Sequence, residues 1–303
     1  MFEALDKQAH RRRLMDYLGI EGEARRFLDD VWQALCCDKN KFEAFEDLVL
    51  YMLREPQTRM DEALEKVGQM AAECHPYTYH FLFLTHAAYW LRKQYAFRGV
   101  SEAVYWDIMS DFRYKLHECY ANHGVFGISV GWWYKRIFSC DIFMLGRLQY
   151  EYALYPFEKA YSIGTVCVER GDPVLSIHIP SAGPLTKASR QDSYRRAFAF
   201  FSHDKRPIVC VCDSWLMFPG HETILPETSN IRAFMRDFEI IHSKTDDAPR
   251  GSWRIFGPKG QEAPENWPED TSLQRAYKQH VMNGGSTGSG FGIMIFDGEE
   301  IVR

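Results

Sequence analysis

Near residue 160 the apolar residues stop recurring at three and four positions and begin to alternate, and this change of period divides the chain into a helical half and a strand-bearing half. Before it, EARRFLDDVWQALCC, FEAFEDLVLYML and MDEALEKVGQMAAEC space apolar residues three and four apart with charges between them, as in helices that pack along one stripe. Pro56 and Pro76 punctuate these segments. YTYHFLFLTHAAYWLRKQYAF and SEAVYWDIMSDFRYKLHECYA carry aromatics at helical spacing, for which core packing is the plainer role, and Ser101 before Glu102 reads as a helix cap. A further helix is expected from about Trp132 to Tyr152, taking in LGRLQYEYALYPFEKA.

After the change, YSIGTVCVE, the turn signal RGDP and VLSIHIP predict an antiparallel hairpin. A helix at SRQDSYRRAFAFF, a strand at PIVCVCDSWLMF and a short helix at SNIRAFMRDF follow. Then come strands near FEIIHS and SWRIFG, a helix at TSLQRAYKQHVM and a final strand at GFGIMIFDG. The order is that of an α+β protein. GGSTGSG, at 284–290, follows a helix and precedes a strand, the reverse of a P-loop, and reads as a connector. A chain of 303 residues accommodates two domains, here an all-helical one over 1–130 and a mixed one over 131–303.

Charge narrows the function. With 36 Lys+Arg against 41 Asp+Glu, the molecule lacks the positive field that nonspecific nucleic-acid binding needs. No apolar run approaches the roughly 20 residues that span a bilayer, and MFEALDKQAHRRR lacks the apolar stretch of a signal peptide, so the expectation is a cytoplasmic protein with no membrane partner. The eight cysteines are scattered, which predicts reduced thiols. Cys210 and Cys212 share a strand face without a second pair at zinc spacing, and His80 and His86, six apart, do not share a helix face, so no metal is expected.

One stretch stands out as a ligand rim. In VLSIHI, Leu175, Ile177 and Ile179 face one way and Val174, Ser176 and His178 the other. Pro180 then ends the ladder, and Gly183 lets backbone approach a ligand closely. In the next helix Ser189 and Asp192 resemble a capping box, and Tyr194, Ala197, Phe198 and Phe201 form its apolar stripe. A helix start attracts anions. Six basic residues (Lys187, Arg190, Arg195, Arg196, Lys205, Arg206) sit there against Asp192 and Asp204, although an ordinary solvated helix face would show the same.

This order of elements resembles the GCN5-related N-acetyltransferase fold, in which a strand leads through a loop to a helix whose start holds the pyrophosphate of acyl-coenzyme A. More narrowly, LGRLQYE, HIPSAGPL, CDSWLMFP and the SNIRAF and TSLQRA helices resemble a bacterial acyltransferase family with an all-helical N-acyltransferase N-terminal domain and a GNAT-like C-terminal domain. The resemblance covers most of the chain and implies a central, mostly antiparallel sheet. Two departures are visible. SAGPLTKASR has one glycine where the usual phosphate loop reads Q/R-x-x-G-x-G/A, and SNIRAFMRDF lacks the tyrosine that often protonates the leaving thiolate.

The resemblance implies acyl-CoA as co-substrate, bound through Ile179, Gly183, Leu185, Lys187, Ser189, Arg190 and Arg195, and transfer to an amine, a small molecule or a peptide, by direct attack on the thioester. Such attack needs a base and a donor. His178 is the candidate base, at the strand end beside the cofactor loop; a hydrogen-bonded structural histidine is the alternative. Asp213 would orient His178 or act as base itself, and Ser214 would donate to the thiolate. Trp215 lies at the same strand end; His221 and Glu222 follow on a loop as further acceptor-side candidates. Arg147 is expected to meet an acceptor carboxylate or to form a structural ion pair. A GNAT-like scaffold that binds or regulates without catalysis is the alternative function; a serine hydrolase built on Ser214 ranks lower, because no GxSxG elbow is present. The sequence sets no oligomeric state.

Overall fold

The computed structural model describes residues 2, 5–202, 204, 206–246, 249 and 251–302, and the chain divides into two compact units, residues 1–144 and 145–303. The first is helical: α1 (Lys7–Tyr17), α2 (Gly22–Cys37), α3 (Lys39–Arg54), α4 (Pro56–Gln69), α5 (Pro76–Phe97), α6 (Glu102–Met109), α7 (Asp111–His123) and the short α8 (Lys135–Phe138). The aromatic-rich α5 is the axis, buried from Phe81 through Ala88 and contacted by each of α1, α2, α3, α4, α6 and α7. A helix that is apolar all round belongs in the middle of a bundle. Ser101 caps α6 as its position predicts, accepting the Val104 N–H at 3.4 Å.

The second unit runs β1 (Ile142–Leu145, starting just before it), β2 (Leu148–Leu154), β3 (Tyr161–Ile163), β4 (Val166–Val168), β5 (Pro173–His178), α9 (Lys187–Phe201), β6 (Ile208–Ser214), α10 (His221–Ile224), α11 (Asn230–Met235), β7 (Glu239–Asp246), α12 (Trp253–Phe256), α13 (Ser272–Met282) and β8 (Thr287–Phe296). The strands form a six-stranded sheet in the order β1-β2-β5-β6-β8-β7, beside the small β3-β4 hairpin. β2 pairs antiparallel to β5, β6 to β8 and β7 to β8, whereas β5 and β6 are parallel. On one face Val174, Val211 and Ile293 form a core with Tyr155 and Val168. On the other lies α9, whose expected stripe is in place: Tyr194 packs on Phe296 with ring centroids 5.9 Å apart and Phe201 on Tyr150 at 6.2 Å. Full burial of side chains of this size stabilises by roughly 1.5–3 kcal/mol each.

Several local expectations give way. The helix predicted over 132–152 ends with α8, and LGRLQYEYAL instead forms the β1–β2 hairpin, turning at Gly146 with φ +73°. The ladder to β5 outweighs the helix propensity of its Leu, Glu and Ala residues. YSIGTVCV folds back on itself as β3–β4 (Tyr161↔Val168), so VLSIHI pairs with β2 and β6 rather than with it. SWRIFG contains the helical turn α12, not a strand. The end of GGSTGSG lies inside β8, where a Cβ on Gly290 would sit 2.1 Å from the Met217 carbonyl oxygen, so its glycines serve close approach rather than flexibility. α9 begins earlier than Ser189: Thr186 is its cap and accepts the Ser189 N–H at 3.2 Å.

Candidate active site

The parallel ladder between β5 and β6 is two pairs long, Leu175↔Cys210 and Ser176↔Val211. Past it each strand keeps only its outer partner: β5 stays with β2 as far as Gln149↔His178, and β6 stays with β8 as far as Ser214↔Gly290. Pro180 cannot extend the ladder of β5. Beyond β6 the chain enters a 3₁₀ turn at Trp215–Met217, capped by Ser214 Oγ, which accepts the Leu216 N–H at 3.2 Å. The sheet is therefore split in its middle, with His178 and Asp213 two residues past the last shared pair and, by strand alternation, on one face.

His178 Nε2 lies 2.7 Å from Glu151 Oε2. Glu151 stands opposite Ser176 and His178 opposite Gln149 in the β2–β5 ladder, so the pair is diagonal across two strands on one face. A carboxylate only accepts, so this bond puts a proton on Nε2. Glu151 is the residue that sequence reasoning missed. It is Glu151, not Asp213, that bonds His178 through Nε2; Asp213 is exposed, opposite Phe291. The hydrogen bonds join His178 to Glu151 and Ser214 to Leu216, an arrangement unlike a relay through Ser214.

Between His178 and α9 the loop makes a tight turn, with Ala182 N–H donating to the Pro180 carbonyl at 2.7 Å and Gly183 at φ +90°. Leu185 is buried and Ile179 half-buried, which anchors both ends. Lys187 and Arg195 are exposed and Ser189 is half-buried near the start of α9; Arg196 pairs with Asp192 at 2.8 Å. Lys205 lies outside the described residues. Arg190 turns inward, 3% exposed, bonded to Asp237 at 2.6 Å and to the carbonyls of Leu185 and Ala233. Arg147 donates from Nη1 to the Pro180 carbonyl (2.9 Å) and from Nη2 to that of Gly183 (2.6 Å).

The remaining candidates form a different cluster. His221 is fully buried, with Nδ1 3.3 Å from the Leu216 carbonyl and Nε2 3.3 Å from the Tyr277 hydroxyl, and burial lowers its pKa to about 4. Trp215 packs edge-on against it at 5.6 Å. Glu222 is held by Arg236 and Arg232 at 2.9 and 2.5 Å, which keeps its carboxyl below the usual range. It also borders a groove of about 640 Å³ along β7, two strands from β6 in the sheet order. Cys210 and Cys212 are buried core residues whose thiols burial pushes far up. Among the described residues, no group of three or more His, Cys, Asp or Glu side chains is placed to hold a metal ion, and no helix is long and apolar enough to cross a membrane.

Residues 9–140 match the model of an N-acyltransferase N-terminal domain and residues 142–294 that of a GNAT-like C-terminal domain. No curated protein matches the sequence. Among solved structures the chain is similar to an acyltransferase in complex with decanoyl-CoA, at 22% identity and a TM-score of 0.70 over 93% of this chain and 86% of that one. A mutant acyltransferase in complex with octanoyl-CoA matches at 20% identity and 0.69, with the same coverage. An acyltransferase in complex with CoA and 10C-teicoplanin matches at 19% identity and 0.63, over 93% and 98%. At these identities the likeness is one of fold.

Proposed function

Because the chain belongs to the family that joins an N-acyltransferase N-terminal domain to a GNAT-like C-terminal domain, we propose that it moves an acyl group from a coenzyme A thioester to an amine by direct attack. The observation that carries this is the split between β5 and β6, with a histidine–carboxylate pair on its wall. The solved structures with the same fold hold decanoyl-CoA, octanoyl-CoA or CoA, and two of them hold teicoplanin or its 10C form, so a long acyl donor and a bulky acceptor suit the scaffold.

In this reading the thioester enters the split and the phosphates lie toward the 178–186 loop and the first turn of α9. There Lys187 and the unpaired N–H groups of the helix start supply positive charge. His178 takes a proton from the attacking ammonium. The amine nitrogen then bonds to the thioester carbon, the carbon–sulfur bond breaks, and the second proton that the new amide nitrogen sheds passes through solvent to the leaving thiolate. Glu151 holds the imidazole in the orientation and tautomer this requires and stabilises the imidazolium that forms. No protein nucleophile is needed. The charge balance and the absence of a long apolar run favour a cytoplasmic setting.

The test is thermal unfolding with a panel of acyl-CoA thioesters and adenosine nucleotides as controls, followed by thiol release with candidate amines. A donor at about 100 times its dissociation constant stabilises the fold by roughly 2.7 kcal/mol. A shift selective for one chain length, with amine-dependent thiol release, is the expected result; binding without release from any donor would leave a scaffold that does not catalyse.

A further inference from the structure

The loop between β5 and α9 is held from behind by two arginines. Arg147 takes the carbonyls of Pro180 and Gly183, and Arg190 Nη1 takes that of Leu185 at 2.7 Å. Three loop carbonyls are thereby drawn onto guanidinium groups by charge-assisted bonds. A carbonyl oxygen turned toward a phosphate repels it and an N–H attracts it, so an anion-binding loop has to turn its oxygens away. Glycines make that turn in loops of the Q/R-x-x-G-x-G/A form by admitting positive φ; within 180–186 Gly183 alone does so.

Both guanidinium groups are themselves fixed. Arg147 sits in the two-residue β1–β2 turn, which is bolted to α9 by Ser193: its Oγ donates to the Leu145 carbonyl at 2.5 Å and accepts the Leu148 N–H at 3.2 Å. Arg190 is pinned by Asp237. We propose that Arg147, together with Arg190, is a positioning residue for the donor's phosphates: it shapes the loop by holding its carbonyls instead of touching the ligand, in place of the missing glycine. This rests on reading the loop as the coenzyme A site.

Calorimetric titration with coenzyme A and with pantetheine, which shares the thiol arm and lacks the nucleotide phosphates, isolates the effect. In Arg147→Met the ratio of coenzyme A affinity to pantetheine affinity falls about tenfold or more. Arg147→Lys keeps the charge without the fork, falls several-fold, and serves if the methionine variant does not fold. A wild-type ratio in a variant whose melting temperature drops would make Arg147 a brace only, and full retention by the lysine variant would show that charge without the two-carbonyl clamp suffices; either overturns the inference. If the wild-type protein binds pantetheine as tightly as coenzyme A, the loop is not the phosphate site, and that reading falls along with this one.

Discussion

His221 offers a test of the packing that follows β6. Its ring is enclosed by Trp215, Phe218 and Tyr277, with centroids 5.6, 6.0 and 5.8 Å away, and is held neutral between the Leu216 carbonyl and the Tyr277 hydroxyl. Burial lowers its pKa from 6.5 to about 4, so between those values the unfolded chain binds a proton that the folded chain refuses. The stabilisation is therefore complete above pH 6.5 and is lost as pH falls toward 4. The full difference is about 3 kcal/mol, of which roughly 2 kcal/mol disappears between pH 7.5 and pH 5. For a unit of this size that lowers the melting temperature by about 4–8 °C. The comparison is between the wild-type protein and His221→Gln, which does not titrate, by urea unfolding at both pH values. His10, in the other unit, also has its pKa lowered to about 4 and titrates in both proteins, so the difference between them belongs to His221. The variant starts less stable and shows the flatter pH dependence. If it loses the same 2 kcal/mol, the argument is wrong.

Three further predictions address the chemistry and the sheet. His178→Ala should lower turnover by about 100-fold with coenzyme A affinity kept, and Glu151→Gln by a smaller factor of about ten, since the ring remains but loses its orienting charge; a wild-type rate in the first would move the base elsewhere. Gly290→Ala places a methyl group 2.1 Å from the Met217 carbonyl oxygen and should destabilise by at least about 2 kcal/mol, which an unchanged urea midpoint would refute.

The elements legible from the sequence are those where local preference and tertiary packing agree. The helical first unit, α9 with its stripe of Tyr194, Ala197 and Phe201, and α13, whose Thr271 and Gln274 form a capping box, all have apolar faces that match their period. The failures share a cause. In LGRLQYEYAL, Leu145, Leu148 and Tyr152 satisfy a helical spacing while Leu148, Tyr150, Tyr152 and Leu154 satisfy a strand spacing, and only the partner strand decides between them. That one ambiguity hid the His178–Glu151 pair: with Glu151 on a supposed helix, nothing could bring it to His178. The Gly146–Arg147 pair between the apolar run IFML and the alternating run LQYEYAL was the available turn signal. Arg190 and His221 attracted attention as a charged and a titratable side chain, yet period and spacing carry no trace of the inward rotamers that occupy them with Asp237 and with Leu216 and Tyr277.

The short ladder between β5 and β6 also bears on how the sheet moves. A sheet is ordinarily firmest at its centre, where both edges of every strand are bonded. Here two strips, one ending at β5 and the other at β6, meet along a seam of two residue pairs, and the line of least resistance runs through the middle. On one face α9 straps the strips together, packing on Tyr150 of one and Phe296 of the other, and on the opposite face Val174 and Val211 pack across the seam in the core. The same helix begins at the loop held by Arg147 and Arg190. A force that widened the seam would load that helix, and through its first turn the loop at the mouth of the cleft.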